Sequence, residues 1–199
     1  MNIINEKYKD LSKYESNFKN ATPYPHLILD NFLDENFFQN LDLENLNINQ
    51  EKGRSFNTDI EKNKWASKNE ILSINLKSII NMLNDKFFLS NLFKISGIKK
   101  LFATTKGNTA LANYHEMYES GFLGTHVDHS SEPETGFPHV LNIILYLSKK
   151  WEKDWGGATI LANHNGTKID KLVEYVPNRA VIFLHTPFTF HGVTEIKNN

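Results

Sequence analysis

Two kinds of apolar spacing divide this chain, and they meet at Ser96-Gly97. Before that point Ile71, Ile74, Leu76, Ile79, Ile80, Leu83, Phe87 and Phe88 recur at intervals near 3.6, the spacing that gathers apolar side chains on one face of a helix. Residues 71–95 are therefore predicted to form one or two amphipathic helices whose stripe packs on a core. Further upstream, Tyr24-Pro25-His26-Leu27-Ile28-Leu29-Asp30 reads as a short strand. Asp34 follows as the N-cap of a helix carrying Phe37, Phe38 and Leu41. Residues 1–22 read as a polar arm with some helical character. Residues 47–70, the most polar stretch, read as a loop: either a linker or a lid over a site bearing Arg54, Phe56 and Trp65. After Gly97, short apolar runs alternate with turn residues at 109–115, 121–128, 139–147, 158–163, 171–176, 180–184 and 189–196. Runs of that length and frequency predict an antiparallel sandwich or barrel. The fold class is α+β with a mainly β core: one domain over 1–199, with a helix-rich support (1–105) leaning on a β-rich half (106–199).

Composition narrows the chemistry. A length of 199 residues suits a single domain with one sizeable core. Lys and Arg total 22 against 23 Asp and Glu, a balance that argues against a dedicated nucleic-acid binder. The absence of cysteine removes disulfides, thiolate metal sites and cysteine nucleophiles together. Arginine occurs only at Arg54 and Arg179, so a clamp for an anion has few of the usual residues to draw on. There is no apolar N-terminal segment of the kind that directs secretion and no run of about 20 apolar residues. The expectation is a soluble, cytoplasmic chain with no membrane partner and an oligomeric state left open.

Seven of the eight histidines lie in the β-rich half. Among them Thr125-His126-Val127-Asp128-His129 stands out, because residues i and i+2 of a strand share a face. His126 and Asp128 then present an imidazole and a carboxylate side by side, with Val127 on the opposite face. Phe190-His191-Gly192-Val193, on a late predicted strand, offers a third ligand. Two histidines and one carboxylate with open positions form the ligand set of non-haem Fe(II) oxygenases. The competing reading is a solvated turn with an ion pair at 126–128 and a partly buried histidine at 191. His129 faces away from His126, His115 and His185 lack a carboxylate at i+2, and His164 sits in the turn Ala162-Asn163-His164-Asn165-Gly166.

These residues resemble a known family, the Fe(II)- and 2-oxoglutarate-dependent oxygenases, in its prolyl 4-hydroxylase-like branch. Tyr118-Glu119-Ser120-Gly121 before the His126/Asp128 pair is similar to the family's approach to its H-x-D motif. The run from His139 to Ser148 resembles the strand ending in Tyr-Leu-Asn, and Trp155-Gly156-Gly157 resembles the paired glycines that follow. Val176-Pro177-Asn178-Arg179 and the strand after it lead to the distal His191. The resemblance covers most of 110–196. It implies a double-stranded β-helix, or jelly-roll, with N-terminal helices packed on one sheet. It implies Fe(II) held by His126, Asp128 and His191, with 2-oxoglutarate and O2 as co-substrates and ascorbate as an optional reductant. Tyr146 matches the tyrosine that holds the far carboxylate of 2-oxoglutarate, Tyr118 matches another pocket-lining position, and Asn142, on the Tyr146 face of the same strand, joins them as a cofactor-binding candidate.

One departure accompanies the match. The family's basic residue for that far carboxylate lies nine or ten positions after the distal histidine, and counting from His191 passes Asn199. The expectation is that the jelly-roll lacks its last strand within these residues. For activity the branch suggests prolyl 4-hydroxylation of a peptide or protein. The alternatives are hydroxylation of a free amino acid or small metabolite, and a non-catalytic jelly-roll binding module.

Overall fold

The computed structural model describes residues 2–43, 53–103 and 113–197. The predicted run at 109–115, the boundary at 105/106 and the start of the polar stretch at 47–52 lie wholly or partly outside them. Among the described residues nine strands form two antiparallel sheets. A three-stranded sheet has the order β1 (His26–Leu29), β8 (Ala180–Leu184), β5 (Leu141–Leu145). A six-stranded sheet has the order β2 (Gly53–Phe56), β3 (Glu61–Ser67), β4 (His115–His126), β9 (His191–Val193), β6 (Thr159–Ala162), β7 (Ile169–Val173). This is the jelly-roll core predicted from the sequence.

The strand β8 explains how the layers stack. Its run Ala180-Val181-Ile182-Phe183-Leu184 has almost no polar relief, the mark of a strand covered on both faces. Alternation sends Ala180 and Ile182 to one side, where they join a core built with Leu27, Leu29, Phe32 and the helices. Val181 and Phe183 turn the other way and pack with Tyr24, Tyr146, Leu161 and Val173 between the sheets. The helices α1 (Glu15–Lys19), α2 (Glu35–Gln39), α3 (Ile74–Leu83) and α4 (Lys86–Ser96) thus cover the outer face of the three-stranded sheet. The Asp34 cap, the apolar period over 71–95 and the break at Gly97 hold. Asp34 caps α2 through Phe37 N–H, Ser73 and Asp85 cap α3 and α4, and Gly97 ends α4 at φ 75°.

Two expectations need correction. The polar arm at 1–22 is not solvated: Ile4, Tyr8, Leu11 and Phe18 are buried in the helical core, carried there by two 3-10 turns (Glu6–Tyr8, Ser12–Tyr14) and α1. Its apolar residues are widely spaced among Lys, Asn and Glu, so no regular period announces them. Within the polar stretch 47–70, residues 53–67 are a β-hairpin, not a loop. β3 pairs with β2 on one side and β4 on the other, and Gly53 leaves room for the Trp65 indole, which is 2% exposed. Arg54 and Lys64 flank the Phe56 ring at 4.7 and 4.8 Å. The N-terminal part is therefore more than a helical support, since it adds β1 to one sheet and β2–β3 to the other.

Candidate metal centre

Strand pairing brings the three expected ligands together. β4 and β9 are antiparallel neighbours with His126 opposite His191, and directly opposed residues of such a pair share a face. Asp128 follows two residues after the end of β4. One ligand atom each from His126, Asp128 and His191 lie within 4.8 Å of one another. His126 Nε2 is 3.2 Å from Asp128 Oδ1, and His191 Nε2 is 3.3 Å from Asp128 Oδ2. The imidazole rings are tilted by 48° with centroids 4.5 Å apart.

The tautomers follow from the backbone. His126 Nδ1 donates to the Gly124 carbonyl at 2.9 Å, and His191 Nδ1 donates to the Thr189 carbonyl at 3.2 Å. A carbonyl only accepts, so each Nδ1 carries a proton, and a ring that loses its second proton has its Nε2 lone pair on the Asp128 side. Phe183 packs against the His191 ring at 4.8 Å and backs the site with an apolar wall. Two oriented imidazole lone pairs and a carboxylate fit a divalent transition-metal ion, and they leave coordination positions for other ligands.

Without a metal the three groups hold one another electrostatically. Burial works against a charged His126, yet its hydrogen bonds to Asp128 and Gly124 prevail and its pKa sits above the ordinary 6.5. Burial likewise opposes the Asp128 carboxylate, but hydrogen bonds from His126, His191 and Asn142 hold its pKa well below the usual carboxylate range.

The remaining candidates divide. Asn142 is at the cluster: its Nδ2 donates to Asp128 Oδ2 at 2.7 Å. Tyr146 lies just past β5 in the core between the sheets, stacked on Tyr175, with its hydroxyl 2.6 Å from Thr159 Oγ1 and 3.3 Å from the Val173 carbonyl. Burial pushes its pKa up to about 12, so the phenol stays protonated. Tyr118 is not drawn in. It is 40% exposed, and its hydroxyl donates to Glu116 at 2.8 Å.

Sequence reasoning missed a second pair. His139, just before β5, and His185, just after β8, stack with centroids 4.2 Å apart and planes 10° from parallel, and with Asp128 they form a second group within 4.8 Å. His185 has no carboxylate at i+2. The carboxylate comes from another loop, and both histidines sit at the ends of strands that pair, β5 and β8. His185 Nδ1 donates to the His139 carbonyl at 3.0 Å, while its Nε2 is buried without a hydrogen-bond partner. A metal lies in the plane of an imidazole that ligates it, and one ion cannot lie in two nearly parallel planes. The stacked pair therefore does not duplicate the first site.

Residues 110–199 match the family model for the 2OG-Fe(II) oxygenase superfamily. The match implies Fe(II), 2-oxoglutarate and O2 as the reactive partners of that family. Among solved structures the chain is similar to a Pseudomonas putida prolyl-4-hydroxylase, at 14% identity over 94% of this chain and 92% of that one, with a TM-score of 0.62. It is also similar to a prolyl hydroxylase from Trichoplax adhaerens in complex with a hypoxia-inducible-factor oxygen degradation domain peptide (16% identity, 97% and 86% covered, TM-score 0.56). A 2OG-Fe(II) oxygenase family oxidoreductase from Burkholderia pseudomallei gives 13% identity, 98% and 87% covered, and a TM-score of 0.57. At these identities the structures establish a shared fold. No curated protein matches by sequence. Among the described residues no helix is long and apolar enough to cross a membrane.

Proposed function

We propose that this protein is a hydroxylase that binds Fe(II) through His126, Asp128 and His191 and uses 2-oxoglutarate and O2 to convert a substrate C–H bond to C–OH. The observation that carries the reading is the convergence of two Nε2 lone pairs on one carboxylate, from strands far apart in sequence. When bound, the iron activates O2 with 2-oxoglutarate as the sacrificial reductant, releasing succinate and carbon dioxide. The chain's part is to hold and to shield. Backbone carbonyls fix both histidine tautomers, Phe183 excludes water from one side, and the three ligands leave positions for the keto acid and oxygen.

Tyr146 and Thr159 offer adjacent hydroxyls inside the jelly-roll and are our choice for the far carboxylate of 2-oxoglutarate. Tyr146→Phe should then weaken 2-oxoglutarate by about 10–100-fold, the cost of one hydrogen bond to a charged group at about 1.5–3 kcal/mol. Titration of the weak visible band of the Fe(II)–keto-acid complex reads this directly. Unchanged affinity would remove Tyr146 from the role.

For substrate we favour a prolyl residue in a peptide, because two of the similar folds are prolyl hydroxylases and one holds a peptide. The β2–β3 hairpin beside β4 is the candidate surface against which such a peptide would lie. The second reading is a free amino acid. Succinate release with a proline-rich peptide against free L-proline decides between them. A chain that binds Fe(II) but forms no 2-oxoglutarate band would instead be a non-catalytic binding module.

A further inference from the structure

Asn142 stands in direct contact with the carboxylate that the two ligand histidines share. Asp128 has two chemically equivalent oxygens, and the chain treats them differently. Oδ1 meets His126 Nε2 at 3.2 Å. Oδ2 meets His191 Nε2 at 3.3 Å and also accepts from Asn142 Nδ2 at 2.7 Å, the shortest of the three contacts. A carboxylate only accepts, so the amide must turn its NH2 toward it.

Asn142 is also rigidly placed. It lies within β5, opposite Phe183 of β8, in a strand pairing that runs without a shift from Leu141 to Leu145. Asp128 lies beyond the end of β4, in backbone with no ladder to fix it. A carboxylate on irregular chain, with an amide on a paired strand at hydrogen-bond distance, is an arrangement in which the amide sets the orientation.

We infer that Asn142 is a positioning residue that claims Oδ2 of Asp128 and leaves Oδ1 as the metal-binding oxygen, so that the carboxylate binds through one oxygen only. This rests on the triad reading above and says what makes the triad usable. Three protein ligands leave room for the keto acid and oxygen only while the carboxylate takes a single position. A carboxylate free to rotate can offer both oxygens and close one of the positions the co-substrate needs. The role differs from direct contact with 2-oxoglutarate, the part the sequence suggested for Asn142, since here the amide acts through Asp128.

The test uses the full chain, with Co(II) as the probe of affinity and coordination and with 2-oxoglutarate added to the Fe(II)-loaded protein. Asn142→Leu keeps the side chain's size and removes the donor. Its Co(II) affinity should fall about 10–100-fold, the range typical of losing a partner that orients a metal ligand. At saturating metal its Co(II) absorption should differ from wild type, and the 2-oxoglutarate band should be weaker. Asn142→Ser, which keeps a short donor, should recover part of the loss. Thermal unfolding of the metal-free variants controls for a fold defect. Asn142→Leu with wild-type affinity, spectrum and band, alongside an Asp128→Ala variant that has lost the metal, would overturn the inference and leave the triad standing. Wild-type Co(II) binding by Asp128→Ala would overturn the triad reading and the inference with it.

Discussion

Two pairs of imidazoles face each other across one carboxylate, one pair from each sheet. His126 and His191 come from β4 and β9 of the six-stranded sheet, and their rings are tilted by 48°. His139 and His185 flank β5 and β8 of the three-stranded sheet, and theirs are nearly parallel. By distance alone both pairs qualify with Asp128 as metal sites. The difference lies in orientation. Both members of the first pair donate Nδ1–H to a backbone carbonyl and turn Nε2 to the carboxylate. In the second pair His185 also donates Nδ1–H to a carbonyl, that of His139, but His139 has carbonyls near both nitrogens, His129 at 3.2 Å and Leu141 at 3.1 Å. Ring planes and proton placement, more than proximity, decide which histidines can share an ion.

The largest effect that could break this comparison is on metal affinity. His126→Ala should reduce divalent-metal binding well beyond the ~100-fold that loss of an orienting partner costs. His185→Ala should leave it unchanged, as measured by competition against a chromogenic chelator. Equal losses in the two variants would mean that the stacked pair is the metal site or part of it.

A second effect separates the two sheets by stability. Asn178, at φ 60° and 2% exposed, accepts from Leu33 N–H at 2.8 Å and donates to the Leu33 carbonyl at 3.0 Å, tying the turn before β8 to the N-terminal layer. Asn178→Ala strands both backbone groups and should cost about 2–4 kcal/mol. Chemical denaturation reads the loss. Metal affinity well below the unfolding midpoint should be untouched, since the triad belongs to the other sheet; a parallel fall in affinity would contradict that separation.

The smallest effect is a pH dependence whose sign distinguishes the metal-free from the loaded site. The raised His126 pKa gives metal-free protein a stabilising contribution that is full below 6.5 and is lost as pH rises through the folded value. The depressed Asp128 pKa contributes above 3.8 and is lost only in stronger acid. Metal binding runs the other way, because it needs His126 neutral. The gap in Tm between loaded and metal-free protein should therefore widen from pH 6 to pH 8. A constant gap would mean that His126 does not exchange its proton for the ion.

Much of this centre was legible in the sequence because it is made of short-range rules. His126 and Asp128 declare themselves by their i, i+2 spacing, although β4 ends at His126 and Asp128 lies just past it, and Asp34 and Gly97 by capping and chain-breaking chemistry. The β2–β3 hairpin was not legible. Gly-Arg-Ser-Phe and Glu-Lys-Asn-Lys-Trp have no clean apolar alternation, and their strand character comes from pairing with β4. His139 and His185 were hidden for a related reason: their common carboxylate is fixed by sheet topology, which no local spacing encodes. Asn142 was found, but the sequence placed it beside Tyr146 by strand parity, whereas the contact that defines it is with Asp128.

The central claim is that His126, Asp128 and His191 hold a single ion. Anaerobic Fe(II) titration of the full chain, its His191→Ala variant and its His185→Ala variant tests it most directly. We expect one equivalent per chain in the wild type and in His185→Ala, and none held at comparable affinity in His191→Ala. Retention of the equivalent in His191→Ala, or its loss in His185→Ala, would contradict the account.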